Sequence, residues 1–126
     1  MNKKIRIALL GLGAMGETFA EHFLEKIHAD RIPVEIVAVA HDQPDSAVAL
    51  GFAHSKVPVF RDPADVLKMG DKIDIIFDLS EDTRVRQNLR LKLIETKNLH
   101  TAIAPDVFAR LLWYFFDEPM PQAAVA

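Results

Sequence analysis

Apolar residues follow two alternating patterns along the chain. Short runs of consecutive apolar or β-branched residues are typical of strands buried on both faces of a parallel sheet. Between them, large apolar residues recur every three or four positions, as in helices with one buried face. The runs predict strands at residues 5–10, 34–40, 57–60, 73–79 and 100–104. The periodic segments predict helices at residues 15–27, 46–50, 63–69, 83–96 and 105–116.

Strands that alternate with helices predict an α/β fold, a single doubly wound parallel sheet with helices on both faces. The expected strand order is 3-2-1-4-5. In such sheets ligands bind beyond the carboxyl ends of the strands where the order reverses, between the first and fourth strands. No repeat or linker divides the chain, so we expect one domain over residues 1–117, followed by a tail at 118–126.

Composition and charge narrow the class of function. The 126 residues are 50% hydrophobic, as in a folded domain, and the net charge of −3 gives no attraction for a nucleic-acid backbone. No apolar run reaches the roughly 20 residues of a membrane span. The absence of cysteine suits a reducing cytoplasm, and the histidines lack the spacing of a zinc site. We therefore expect a cytoplasmic protein that binds no nucleic acid, membrane or metal.

A glycine-rich segment separates the first strand from the first helix. Gly11-Leu12-Gly13-Ala14-Met15-Gly16 has the spacing G-x-G-x-x-G. After a strand and before a helix, this motif predicts a Rossmann-like fold that binds NAD or NADP. The first glycine permits a tight turn, the second lets a pyrophosphate approach the backbone, and the third lets the helix pack closely on the strand. Free N–H groups at the helix start would face the phosphates.

The residues after the second strand bear on the choice between NAD and NADP. An acid at this place accepts hydrogen bonds from the ribose 2′-hydroxyl of NAD. Asp42 would do so if the strand ended one residue late, whereas His41 would suit a 2′-phosphate. Asp42 is equally consistent with a cap of the turn into Pro44. The acid makes NAD the slightly preferred cofactor.

Two residues after the fourth strand, Leu79 and Ser80, complete the candidate cofactor-binding set. Ser80 would contact a ribose or a nicotinamide. It would equally well cap the next helix, with Glu81 and Asp82 in the first turn. Among the basic residues of that helix, Arg84 lies nearest to the crevice and is the one candidate for phosphate contact.

Three segments, GLGAMG, VEIVAVA and IDIIFDLSED, resemble the nucleotide domain of the glucose–fructose oxidoreductase and inositol dehydrogenase superfamily. Homoserine dehydrogenases share the pattern less closely. The resemblance covers roughly residues 4–105. In the superfamily the fifth strand ends in Glu-Lys-Pro, whose lysine is implicated in catalysis, and a large substrate domain follows. Alignment on Pro105 places Ala104 at the lysine, so the resemblance implies a cofactor-binding domain without complete catalytic apparatus, and no catalytic residue is assigned.

The segment PDVFARLLW, residues 105–113, resembles the closing segment of Rossmann-like modules fused to some bacterial sensor and regulatory proteins. This second resemblance implies a regulatory, sensory or partner-binding role. The alternative is an NAD(P)-dependent oxidoreductase whose substrate domain or active site another chain completes. Its proton-transfer group would then come from Asp78, Asp82, His100 or Asp106.

Half of the aromatic residues of the chain lie in the last predicted helix. A helix packed on a sheet buries one face. The residues expected in the core are Phe108, Leu111, Leu112 and Phe115. This leaves Trp113, Tyr114 and Phe116 directed elsewhere. We expect them, with Phe108, to contact a second copy of the chain or another protein; the alternative is that the tail covers them.

Overall fold

The computed structural model describes residues 3–80 and 82–115. It contains five strands, four α-helices and one 3-10 segment. The strands are β1 (Ile5–Leu10), β2 (Val34–Ala40), β3 (Val59–Phe60), β4 (Ile75–Asp78) and β5 (Ala102–Pro105). The helices are α1 (Ala14–Asp30), α2 (Ala47–His54), α3 (Thr83–Glu95) and α4 (Asp106–Trp113), and the 3-10 segment is Pro63–Lys72.

The strands form one parallel sheet in the order β3-β2-β1-β4-β5. The predicted fold class and strand order are therefore confirmed. The order reverses between β1 and β4, so the carboxyl ends of these strands border the crevice where such sheets bind ligands. Within the described ranges, no helix is both long and apolar enough to cross a membrane.

The two faces of the sheet are covered by different helices because side chains alternate along a strand. Ile7 and Leu9 of β1 belong to a core cluster that includes residues of α1, α2 and α4. Ala8 and Leu10 belong to a second cluster, with residues of the 3-10 segment and α3. Both faces of β1 are thus buried, which explains its unbroken apolar sequence.

The predicted bounds hold best for the central strands. β1 and β2 run as predicted, whereas β3, β4 and β5 are shorter. Asp62 caps the 3-10 segment by accepting from the N–H of Ala64 at 2.9 Å, and Pro63 is its first residue, as the sequence predicted. Helix α2 continues through Gly51 to His54, beyond the predicted end at residue 50.

The predicted division of α4 into a core face and an outer face is wrong. Trp113 is 1% exposed, with its ring centroid 6.0 Å from that of Phe19 and 5.2 Å from that of His22. Phe108, Leu111 and Phe115, expected in the core, are between 50% and 68% exposed. The short helix meets α1 through its largest ring, and this turns the other apolar residues outward. Phe116 lies outside the described residues.

At the amino ends of the strands, one carboxylate joins β1, the residue before β4 and the loop before β5. Asp74 accepts hydrogen bonds from the Arg6 side chain at 2.9 Å and from the Arg6 backbone N–H at 2.8 Å, and the ring of His100 lies 2.5 Å away. The pKa of Asp74 lies well below its ordinary value. The largest cause is the side-chain hydrogen bonding from Arg6, and the backbone N–H of Arg6 and the ring of His100 lower the pKa further. This cluster lies at the opposite edge from the crevice.

Candidate functional site

The turn after β1 brings the first glycine against the residues that follow β4. Gly11 has a positive φ of 75°, and a Cβ placed there would lie 2.5 Å from Cα of Ser80. A contact this short with backbone excludes any side chain. The N–H groups of Gly11 and Leu12 donate to the carbonyl of Ala40 at 3.2 and 3.4 Å, which ties the turn to the end of β2 as well.

The other two glycines of the turn differ in their surroundings. Among the described residues, nothing lies within 4 Å of a Cβ placed on Gly13, and no side chain caps the helix that begins there. At Gly16 a Cβ would lie 3.1 Å from the carbonyl oxygen of Gly11. Gly16 therefore permits close packing of α1 on the turn, while Gly13 leaves the helix start open to a ligand with its N–H groups uncapped.

The remaining residues of the motif contribute through the backbone or to the core. The side chain of Leu12 is buried in the core cluster under α1. Only its backbone is therefore placed to face a ligand. Ala14 and Met15 form the first residues of α1, and their side chains lie outside the described residues.

The carboxyl end of β2 carries a network that the sequence did not predict. His41 is buried, and its Nε2 lies 2.9 Å from a carboxylate oxygen of Glu17 in the first turn of α1. The same oxygen accepts a hydrogen bond from the hydroxyl of Ser46, the N-cap of α2, at 2.9 Å. Glu17 thus joins two helices and the strand end. No periodicity marks this role, because the three residues meet only in the folded sheet.

The hydrogen bonds of His41 give its two ring nitrogens different roles. The backbone N–H of Gln43 donates to Nδ1 at 2.9 Å, so this nitrogen is an acceptor and Nε2 carries the proton that is donated to Glu17. The carboxylate of Asp42 lies 3.2 Å from Nδ1, and its side chain is 85% exposed. The turn toward Pro44 is therefore capped by His41, and Asp42 remains open to solvent beside it.

Polar groups also gather at the carboxyl end of β4. The buried carboxylate of Asp78 accepts from the N–H and the hydroxyl of Ser80, at 3.0 and 2.5 Å. Asp82, and not Ser80, caps α3 by accepting from the N–H of Arg84 at 2.9 Å, so the predicted capping role of Ser80 is wrong. Leu79 donates its N–H to the carbonyl of Leu10 at 2.9 Å, which holds this segment beside the glycine turn.

Arg86 of α3, for which the sequence predicted no contact with the crevice, forms ion pairs at this edge. Its Nε lies 3.6 Å from Asp78, and its Nη1 lies 3.9 Å from Asp106 at the start of α4. Arg84 instead pairs with its own helix cap, Asp82, at 3.2 Å and is exposed. Helical spacing could not separate the two arginines, because only the position of α4 decides which one is covered.

The fold therefore brings the predicted residues together in two groups on one edge. The glycine turn, Leu79 and Ser80 are in direct contact, and His41 and Asp42 lie on the other side of the turn, where β2 ends. His100 does not belong to this edge, since it contacts Asp74 at the opposite end of the sheet. In the described part of the chain, no three His, Asp or Glu side chains are placed to hold a metal ion.

Comparison with known proteins gives structural likeness alone. No protein-family model matches the chain, and no curated protein matches it. Crystal structures of S. aureus homoserine dehydrogenase are similar: the structure at pH 6.0 is 20% identical with a TM-score of 0.53, over 83% of this chain and 33% of that one. The structure at pH 6.5 is 18% identical with a TM-score of 0.53, over 90% of this chain and 29% of that one.

This chain thus spans about a third of the length of those dehydrogenase chains. The likeness supports a Rossmann-like domain of the kind found in a dehydrogenase. It does not single out the glucose–fructose oxidoreductase superfamily, which the sequence resemblance had ranked ahead of homoserine dehydrogenases.

Proposed function

We propose that this chain binds a nicotinamide dinucleotide at the carboxyl edge of its sheet and acts as a regulatory or partner-binding domain. The proposal rests on one observation, the uncapped amino end of α1. Gly13 is the N-cap residue of α1, no side chain among the described residues caps the helix, and the space at Gly13 is open. Uncapped N–H groups and the helix dipole favour an anionic pyrophosphate at this place.

The charges at the end of β2 favour NAD over NADP. The carboxylates of Glu17 and Asp42 both lie against the ring of His41, where the adenosine ribose of a dinucleotide binds in this fold. A 2′-phosphate would be repelled by two like charges, whereas a 2′-hydroxyl would donate to the exposed Asp42. His41 offers no free proton to a phosphate, because its Nε2 proton is donated to Glu17.

The proposed role is regulatory because the chain has a candidate cofactor site but lacks the catalytic lysine of the glucose–fructose oxidoreductase superfamily. Ala104 stands at that position and is buried. The chain contains no cysteine, which is consistent with the proposal that it functions in a reducing cytoplasm. A surface for a protein partner is available on the outer side of α4. Tyr114 is exposed there as expected, and Phe108 is exposed although it was also expected in the core, whereas Trp113 is buried.

The second candidate function is an oxidoreductase completed by another chain. The observation in its favour is the group Asp78, Ser80 and Arg86 beside the glycine turn, which supplies a buried carboxylate and a guanidinium at the edge where a substrate would meet the nicotinamide. Sustained NADH turnover by the purified chain with a polyol, sugar or amino acid would favour this candidate over the regulatory role.

Calorimetric titration with NAD, NADH, NADP and NADPH tests the proposal. Gly13→Ala should weaken binding at least about tenfold, because its Cβ would project into the open phosphate position while the fold accommodates it. The matched control is Gly51→Ala in α2, which also has open space around its Cβ and should bind as the unmodified chain does. Absence of heat and of thermal shift with all four ligands at millimolar concentration would refute dinucleotide binding.

A second titration tests the cofactor preference. Asp42→Asn removes one charge from the end of β2, so the ratio of NADP to NAD affinity should rise by about threefold to tenfold. Glu35→Gln makes the same change of charge near the other end of the strand, and its ratio should stay unchanged. Equal affinity for NAD and NADP in the unmodified chain would contradict the preference without affecting the binding proposal.

A further inference from the structure

The outer face of α4 and the residues just after it carry large apolar side chains that no described residue covers. Five of them are half or more exposed. They are Val107, Phe108, Leu111, Tyr114 and Phe115, with exposures from 50% to 73%. Monomeric domains rarely expose a contiguous apolar patch above a few hundred Å². The opposite face of the helix is anchored by Ala109 and Trp113, so the helix cannot rotate to bury the exposed residues without removing Trp113 from the core.

These positions are symmetric about one residue. Phe108 and Tyr114 lie at equal distances before and after Leu111, and so do Val107 and Phe115. When two such helices pack antiparallel about a two-fold axis at Leu111, the apolar residues before the centre face the apolar residues after it in the other copy. Every apolar side chain of the patch then meets an apolar side chain of the other copy.

The patch reaches the size that a specific interface needs. Side chains of these types, half to three quarters exposed, present roughly 500 Å² of apolar surface on each copy. Complete coverage by a second copy would bury about 1,000 Å² in total, the minimum expected of a biological interface. Asp106 and Arg110, 4.0 Å apart on the flank of the helix, would form part of the polar rim that such interfaces have.

We propose that the chain forms a two-fold symmetric homodimer in which α4 packs antiparallel against α4 of a second copy, centred on Leu111. The inference names the partner for the partner-binding part of the proposed function. It does not depend on dinucleotide binding, because the outer face of α4 contributes nothing to the glycine turn. Its failure and the failure of dinucleotide binding are therefore measured separately.

Single-cysteine variants test the contact directly, since the chain has no cysteine of its own. A disulfide requires Cα atoms within about 7 Å, so Leu111→Cys should form a covalent dimer under mild oxidation only if the two copies meet at this residue. Leu91→Cys on α3 is the matched control, because Leu91 is 57% exposed and Leu111 52%. We expect nearly complete crosslinking of the first variant and little of the second.

A charge-pairing experiment tests the symmetry. Leu111→Glu and Leu111→Lys should each be monomeric in sedimentation at micromolar concentration, with dimer affinity reduced by about tenfold or more, because like charges meet at the axis. An equimolar mixture should regain the dimer. Leu91→Glu should remain dimeric, and circular dichroism checks that each variant is folded. The same variants, titrated with NAD, report separately on the dinucleotide site.

Three results would overturn the proposal. A monomer of the unmodified chain at high micromolar concentration would assign the patch to another protein or to residues 116–126. A dimer that persists in folded Leu111→Glu would place the contact elsewhere. Equal crosslinking of the two cysteine variants would indicate random collision. Dimerisation without dinucleotide binding would leave this inference intact and refute the binding proposal.

Discussion

Gly11 and Gly70 both have positive φ angles, of 75° and 61°, but their surroundings differ. A Cβ on Gly11 would collide with the backbone of Ser80, whereas nothing in the described residues approaches a Cβ on Gly70. A side chain at Gly70 would only strain its own backbone. At Gly11 it would also force apart the turn and the segment after β4, the two walls of the crevice.

At the residue scale, we therefore predict different costs for two identical substitutions. Gly70→Ala should lower the free energy of unfolding by about 1–3 kcal/mol, the usual cost of a non-glycine residue in a strained backbone conformation. Gly11→Ala should cost more, because the collision with Ser80 at 2.5 Å adds to the strain. Urea unfolding of both variants measures the difference. Equal losses would show that the segment after β4 moves away freely.

At the scale of the element, α4 shows how one large ring sets the orientation of a short helix. Trp113 packs among Phe19 and His22 of α1, and Ala109, one turn earlier, allows the helix to approach closely. The other apolar residues of α4 outnumber these two. A count of apolar positions therefore predicts that the wrong face of α4 is buried. The buried face is the one whose largest side chain, Trp113, fits the space beside α1.

Trp113→Ala should destabilise the domain by about 3–5 kcal/mol, because it removes a fully buried aromatic side chain and leaves a cavity. Leu99→Ala is the control, since Leu99 is 98% exposed in the loop before β5 and its truncation should change stability by less than about 0.5 kcal/mol. Thermal unfolding at low protein concentration provides the measurement. A loss of stability for Trp113→Ala as small as that of the control would show that this ring is not buried.

At the scale of the whole molecule, the carboxyl and amino ends of the strands differ in how their polar groups are arranged. The polar groups at the carboxyl edge border an open glycine turn, whereas those at the amino edge form a cluster around Asp74. Asp74 is the centre of the amino-edge cluster and joins segments that are far apart in sequence. Its ionised form is favoured by the folded state, so this cluster makes stability depend on pH.

Asp74 gives the pH dependence a definite sign. Because Arg6 holds the pKa of Asp74 below the ordinary value of 3.8, the carboxylate stabilises the fold fully above that value and progressively less as the pH falls below it. Asp74→Asn should therefore be less stable than the unmodified chain at pH 7, and the difference should narrow at lower pH. Urea midpoints across this range measure it, with the exposed Asp45→Asn as control. A constant difference would exclude the linkage.

The sequence by itself determined the sheet, its strand order and the glycine turn. The sheet and the glycine turn depend on local signals: unbroken apolar runs for β1 and β2, helical periodicity between them, and glycines at the spacing G-x-G-x-x-G. The strand order follows from the doubly wound fold class that these signals predict. These signals can be recognised without knowing which segments pack together, because a strand buried on both faces must be apolar throughout.

Only the tertiary structure decided which polar residues meet at the crevice and which face of α4 is buried. Glu17, His41 and Ser46 come from three elements, and the spacing between them in the sequence carries no pattern. Arg86 faces the edge and Arg84 does not, because α4 begins with Asp106 at that place. Trp113 is buried because α1 leaves room for its ring. Contacts between distant segments depend on the shape and volume of the packed domain, which local periodicity does not encode.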